Sequence, residues 1–386
     1  MKRKIIIIII FSILFIFPVQ ALDLVSKKAI LVNLNEDKIL IDKDSNSKAM
    51  IASLTKIITA ITVIDNKEDL NEEVVITYNM LKGLDGYAKV GLKVGDKLTY
   101  EELLYALMLP SGADAAQALA IATSNSIEEF SNLMNEEVKK IGVNNSHFTN
   151  PVGMDDIDNY STAYDLYKIL EYSLNNKTFK TIFEARNYNI KSINKKIEKT
   201  IVTASKYYNI DSSIIKGEKT GYTYLAGRCL ASTATIDDIN YLMINLNAPT
   251  NTLDYLKDPI NTYEYYKKNY GYKIIKNKDD IIYRIKIKNS KQKYYDIVLD
   301  KNIELYLSND VQINDIDIKY TGIELLTRKN KLNEKIGIID FVYNDEILYT
   351  YDVYLNKDIK YYNFYLIISI PILILSISLL FIKKIK

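Results

Sequence analysis

The chain has 386 residues, 48% of them hydrophobic and 25% charged, with 50 lysines and arginines against 48 aspartates and glutamates. That length accommodates more than one domain, and a net charge of +2 supplies no electrostatic footprint for nucleic acid, which is excluded as a partner. A single histidine, His147, and a single cysteine, Cys229, exclude a zinc site built from these residue types and an internal disulfide, so no metal and no cofactor are expected.

Residues 1–21 carry a basic start (Lys2, Arg3, Lys4), an apolar run from Ile5 to Phe17 and the small-residue pattern Val19-Gln20-Ala21, which together read as a secretory signal. The apolar run is about thirteen residues long, short of the roughly twenty that a spanning helix needs. Ala29 to Leu34 and Lys38 to Ile41 predict a hairpin turned by Asn35, Glu36 and Asp37. Ser53 is then expected to open a helix to about Ile64, with Leu54, Ile57, Ile58 and Ile61 as its apolar stripe. Ser53 and Lys56, three apart, share one face of that helix. An ammonium whose pKa is lowered by burial or positive neighbours can deprotonate the hydroxyl, and no histidine is then required.

Glu101 to Leu109 predicts a second helix ended by Pro110, and Ser111 starts an alanine-rich stretch to Ala122. Ser126 with Glu129 reads as a capping box for a helix to Ile141. A Ser-His-Asp triad would have to run through His147, whose loop-like surroundings hold no nucleophile elbow, so the residue reads as a locally hydrogen-bonded loop histidine. Ser161 or Thr162 caps a further helix to about Leu174. Lys219 is placed just before a strand-like run, Tyr224 to Ala234, that Tyr241 to Leu246 pairs with through an Asp237-Asp238 turn. Helices flanking an antiparallel sheet make an α+β domain, expected over residues 22–272.

After about Gly271 the pattern becomes alternation: Tyr283, Ile285 and Ile287; Ile303, Leu305 and Leu307; Ile316, Ile318 and Tyr320; Tyr349, Tyr351, Val353 and Leu355. A small β-rich domain over residues 273–360 is expected, without a catalytic string and best read as a spacer. Residues 364–382 are almost wholly apolar and are followed by Lys383, Lys384 and Lys386. At 1.5 Å per residue they span a ~30 Å hydrocarbon core, and basic residues stay on the cytoplasmic side. The reading is a single-pass C-terminal anchor in the membrane lipid, with the rest of the chain on the outer face.

Three strings carry the chemistry: Ser53-Leu54-Thr55-Lys56, Ser111-Gly112-Ala113 and Lys219-Thr220-Gly221. Their order and spacing resemble the D-alanyl-D-alanine carboxypeptidases, the low-molecular-mass penicillin-binding proteins of serine peptidase family S11. Leu109-Pro110-Ser111-Gly112 with Asp114-Ala115-Ala116, His147-Phe148-Thr149-Asn150-Pro151, Ser161-Thr162-Ala163 with Asp165-Leu166, and Lys219 to Thr223 running to Ala226-Gly227 extend the resemblance over about Ala29 to Tyr272. It implies a penicillin-binding/β-lactamase-like transpeptidase domain that acts on peptidoglycan stem peptides ending in D-Ala-D-Ala, with β-lactam antibiotics as covalent inhibitors. By position, it makes Ser53 the nucleophile, Lys56 its base and Ser111 the proton relay to the departing D-alanine. Lys219 and Thr220 would bind the substrate carboxylate, Gly221 completes that strand motif, and the N–H groups of Ser53 and Tyr222 would hold the oxyanion.

The chain departs from the family at one place: the second motif is usually Ser-x-Asn, and the third position here is Ala113. Asp114 is the first candidate to compensate. Two alternatives stand beside the carboxypeptidase. A β-lactamase is suggested by Glu171-Tyr172-Ser173-Leu174-Asn175, which matches a deacylating-glutamate string but falls too late in the chain. A non-catalytic penicillin-binding or wall-binding scaffold is suggested by Ala113.

Overall fold

The hairpin near the start forms as β1 (Lys28–Asn33) and β2 (Lys38–Lys43), with a register shift between Leu31 and Val32 and Asp37 at φ 51° in its turn. The structure, a computed structural model, describes residues 22–362 together with Pro371 and Ile374. The expected signal, 1–21, and the expected anchor, 364–382, therefore lie outside the described residues except at those two positions. Among the described residues no helix is long and apolar enough to cross a membrane.

The chain continues through α1 (Thr55–Asn66), the short pair β3 (Glu73–Val75) and β4 (Lys97–Thr99), α2 (Tyr100–Met108), α3 (Ala113–Ser124), α4 (Ile127–Ile141), α5 (Ala163–Leu174) and α6 (Lys177–Glu184). Side-chain oxygens end these helices where the sequence supplies them. Thr99 accepts from the Glu102 N–H, Ser126 from Glu129, Thr162 from Asp165 and Asn176 from Thr178 and Phe179. A hairpin of β5 (Asn187–Ile190) and β6 (Lys195–Glu198) and the helix α7 (Thr200–Tyr208) lead to three long strands, β7 (Gly217–Thr223), β8 (Gly227–Ile236) and β9 (Ile239–Ala248), and to α8 (Asp254–Asn269).

All five long strands pair antiparallel in the order β2-β1-β9-β8-β7, which leaves β7 at an edge. Alternation then sorts their side chains. Ile30, Val32, Leu242 and Ile244 join the core shared with α1 to α6, while Ser232 and Tyr241 meet Tyr263 of α8 on the other face. α1 is the centre of the helical layer, with Ile57, Ile58 and Ile61 all buried and α2, α3, α4 and α5 around it.

Lys219 does not precede the first strand of this region; it lies within β7, a strand that the sequence reading did not anticipate, and the expected run from Tyr224 to Ala234 forms as β8, which starts at Gly227 and pairs with β7. Gly221 inside β7 lets the strand close on the Ile51–Ser53 backbone.

The chain divides into two compact units between Lys267 and Lys268. The second unit holds β10 (Tyr270–Lys276), β11 (Ile281–Ile287), β12 (Tyr294–Val298), β13 (Ile303–Ser308), β14 (Asp317–Gly322), β15 (Leu325–Leu326), β16 (Lys335–Tyr343) and β17 (Glu346–Tyr354). They form small sheets ordered β10-β13, β12-β11-β15 and β14-β16-β17 around Ile285, Ile297, Ile303, Ile339 and Phe341.

Candidate active site

Ser53 lies in a single 3-10 turn, Ala52–Leu54, and not at the cap of α1, which starts at Thr55. Its hydroxyl caps nothing. Ala52, just before it, has φ 48°, a conformation that costs a non-glycine residue about 1–3 kcal/mol. The turn is held by what surrounds it: a Cβ on Gly153 would come within 2.0 Å of the Ala52 carbonyl oxygen, and one on Gly221 within 2.9 Å of the Ile51 oxygen and 3.2 Å of the Ser53 nitrogen. Glycine at both positions lets two segments close on the Ser53 backbone.

Lys56 follows on α1 with its side chain fully buried. Its Nζ donates to the Val152 carbonyl at 2.6 Å and stands 2.9 Å from Ser53 Oγ. Burial, and then the positive charge of Lys219, hold its pKa well below the ordinary lysine range, against the opposing pull of Asp114. A hydroxyl within hydrogen-bond reach of an amine that gives up its proton this readily is the arrangement of a serine nucleophile with a general base.

β7 brings up the third string. Lys219 is buried, donates to the Thr220 carbonyl at 2.9 Å, and is pushed down to about 8 by burial, with Glu218 opposing and Lys199 reinforcing the shift. The Lys219 and Gly221 side of the strand faces the helical layer, whereas the Tyr222 ring stacks on the Arg228 guanidinium across the opposite face. Thr220 and Tyr222 share that opposite side by alternation, so Tyr222 can serve the site only through its backbone.

Ser111 stands in the turn between α2 and α3 with φ 63°, two residues before the helix it was expected to start. The turn is pinned by the Gly112 N–H on the Ala106 carbonyl, the Ala113 N–H on the Ala88 carbonyl, and Thr200 N and Oγ1 on the Leu109 carbonyl. Asp114 does not rebuild the missing amide. Its buried carboxylate accepts from the N–H groups of Val90, Gly91, Leu92 and Ala115 at 2.7–3.0 Å, so it ties down a loop and reaches Lys56 only through its charge.

A family profile described as D-alanyl-D-alanine carboxypeptidase matches residues 16–250. The chain belongs to that family. It is 25% identical over 351 residues to D-alanyl-D-alanine carboxypeptidase DacF of Bacillus subtilis (strain 168), covering 87% of this chain and 86% of the relative. The solved D-alanyl-D-alanine carboxypeptidase DacD of Francisella tularensis covers 87% of this chain and 94% of its own with a TM-score of 0.69, and at 19% identity it shows the fold. The Streptomyces K15 DD-transpeptidase shares 28% identity over 63% of this chain and 97% of its own, with a TM-score of 0.57. The penicillin-binding-protein α+β fold and a D-Ala-D-Ala carboxypeptidase activity follow from that membership.

Other chemistry-bearing residues of this carboxypeptidase are accounted for by their own surroundings. Glu171 is paired with Lys168 at 3.1 Å and with the Tyr167 hydroxyl, beside Asp37 on the hairpin turn, which accounts for it as a surface residue and removes the basis for the β-lactamase alternative. His147 donates from Nδ1 to the Asp158 carbonyl and pairs its backbone with Tyr160. Cys229 is buried, and burial pushes its thiol up to about 12. Among the described residues no cluster of histidine, cysteine and carboxylate side chains can hold a metal ion. Val152 and Gly153, which shape the site, escaped the reading of the sequence because they act through backbone, and Asn150, whose side chain binds only backbone N–H groups, was quoted there solely within a family string.

Proposed function

We propose that this enzyme removes the terminal D-alanine from peptidoglycan pentapeptide stems, with Ser53, Lys56, Ser111 and the β7 residues as its machinery. The observation that carries this reading is the 2.9 Å approach of a buried, readily deprotonated Lys56 to Ser53 Oγ. Neutral Lys56 takes the hydroxyl proton as Oγ attacks the carbonyl between the two D-alanines. The Ser53 and Tyr222 N–H groups stabilise the resulting oxyanion, and Ser111 passes the proton to the leaving amine as the peptide bond breaks. Water then attacks the acyl-serine ester, yielding the shortened stem and free Ser53. Charged Lys219 selects the substrate's terminal carboxylate, and Thr220 and Gly221 beside it contribute through the β7 backbone. β-Lactams are opened by the same attack and stay on Ser53.

Sequence pattern supports the remaining assignments. Residues 1–21 act as an export signal, 22–272 as the catalytic domain, 273–360 as a spacer, and 364–382 as an anchor that holds the enzyme to lipid on the extracytoplasmic face. In cells stripped of wall, added protease should degrade the catalytic region while a tag after Lys386 stays protected; protection of both ends refutes this topology. For the chemistry, D-alanine release from a stem-peptide analogue should be measured for wild type and Ser53→Ala. Wild type should release D-alanine and Ser53→Ala should release none and take no fluorescent penicillin, with an unchanged Tm. Binding without release by wild type would favour the scaffold alternative instead.

A further inference from the structure

The segment from Phe148 to Met154 supplies the carbonyl that holds Lys56, although it lies 96 residues away along the chain. It is braced at several points: Asn135 bonds both the Phe148 N–H and carbonyl, and Thr59 of α1 donates to the Pro151 carbonyl at 2.8 Å. Its turn is built by one side chain. Asn150 Oδ1 accepts from three consecutive N–H groups, Val152 at 3.2 Å, Gly153 at 2.8 Å and Met154 at 2.9 Å, and Gly153 completes the turn at φ 84°. With these three N–H groups turned toward Asn150, the Val152 carbonyl is left directed at Lys56.

The valence of the amine gives that carbonyl a consequence. A neutral primary amine has two N–H bonds and one lone pair. Val152 O can only accept, so the 2.6 Å contact commits an N–H, and the lone pair is left for the Ser53 hydroxyl proton. We propose that Asn150 is a positioning residue for Lys56, fixing through the Val152 carbonyl the orientation of the base that a second-motif asparagine would otherwise help to set. The inference rests on the reading of Lys56 as base. The charged groups facing Lys56 are Lys219 from β7 and Asp114 from α3, and neither substitutes for an acceptor directed at Nζ.

The test is the rate of acylation by benzylpenicillin across pH for the full chain and its Asn150→Ala, Asn150→Asp and Lys56→Ala variants. Asn150→Ala should acylate about 10- to 100-fold more slowly at its plateau. Its acid limb should move to lower pH, because the ammonium form loses an acceptor. Asn150→Asp keeps the accepting oxygen and should stay within a few-fold of wild type, its acid limb no lower. Asn150→Ala matching wild type in rate and acid limb overturns the proposal, as does equal slowing of the Ala and Asp variants with no movement of the limb. Should Asn150→Ala not fold, Asn150→Ser, whose shorter side chain cannot gather all three N–H groups, carries the same expectation. Lys56→Ala at wild-type rate would instead overturn the reading of the base itself.

Discussion

At the scale of single residues, the proposed mechanism divides the work between two buried lysines by their proton affinities. Lys56 must be neutral to act as base, and Lys219 must be charged to hold a carboxylate, so kcat/KM should rise through the Lys56 titration and fall as pH passes about 8. The alkaline limb belongs to recognition of the carboxylate. A substrate with a C-terminal amide should therefore be turned over poorly but without that limb, and persistence of the limb would remove Lys219 from carboxylate binding. Stability follows the opposite course. The folded chain holds the Lys219 proton less tightly than the unfolded chain, at about 8 against an ordinary 10.5, so this residue's contribution rises with pH across that window. Lys219→Met should raise Tm near pH 7, where a buried charge is relieved, and the gain should shrink toward pH 10 in a melting series.

At the scale of elements, the N-terminus of α3 carries the chain's departure from its family. Asp114 satisfies four N–H groups, and hydrogen bonds to a charged group contribute roughly 1.5–3 kcal/mol each at most. Asp114→Ala should lower Tm by roughly 6 °C or more and free the Val90–Leu92 loop, read by hydrogen exchange at those amides. Ala113 is buried directly after Gly112, where even a Cβ would meet Val90 and the Ala106 carbonyl within 2.8 Å. Ala113→Asn should therefore melt lower without acylating faster; a faster variant with unchanged Tm would show that the amide alone was missing. The elements that were legible in the sequence are those with strong periodicity or caps: the first hairpin, α2, α4, α5 and the alternating strands of the second unit. α8 was not, because its buried face is made largely of Tyr255, Tyr263 and Tyr266 and it carries Pro259 inside. The Ser53 and Lys56 pair, proposed as nucleophile and base, was readable as a motif, whereas the Val152 carbonyl that accepts from Lys56 is backbone and has no side-chain signature.

At the scale of the whole molecule, every group that forms the candidate site belongs to the first unit: Ser53 and Lys56 from the turn into α1, Ser111 from the α2–α3 turn, Val152 from the loop shaped by Asn150, and Lys219 to Tyr222 from β7. The first unit has its own continuous core, with Tyr263 of α8 closing the far face of the sheet through the Ser232 hydroxyl, and the second has a separate core of its own. Units with separate cores can fold separately. A chain of residues 22–269, which keeps all of α8, should fold cooperatively and take benzylpenicillin on Ser53 within a few-fold of the full-length rate. Ending the chain before α8, at residue 253, should instead expose the apolar face of β1, β8 and β9 that Tyr241, Met243 and Leu31 line, and should yield aggregated or unlabelled protein. If the 22–269 chain folds, with a melting transition of its own, yet fails to acylate, then the second unit contributes to the site itself, and the assignment of residues 273–360 as a spacer is wrong.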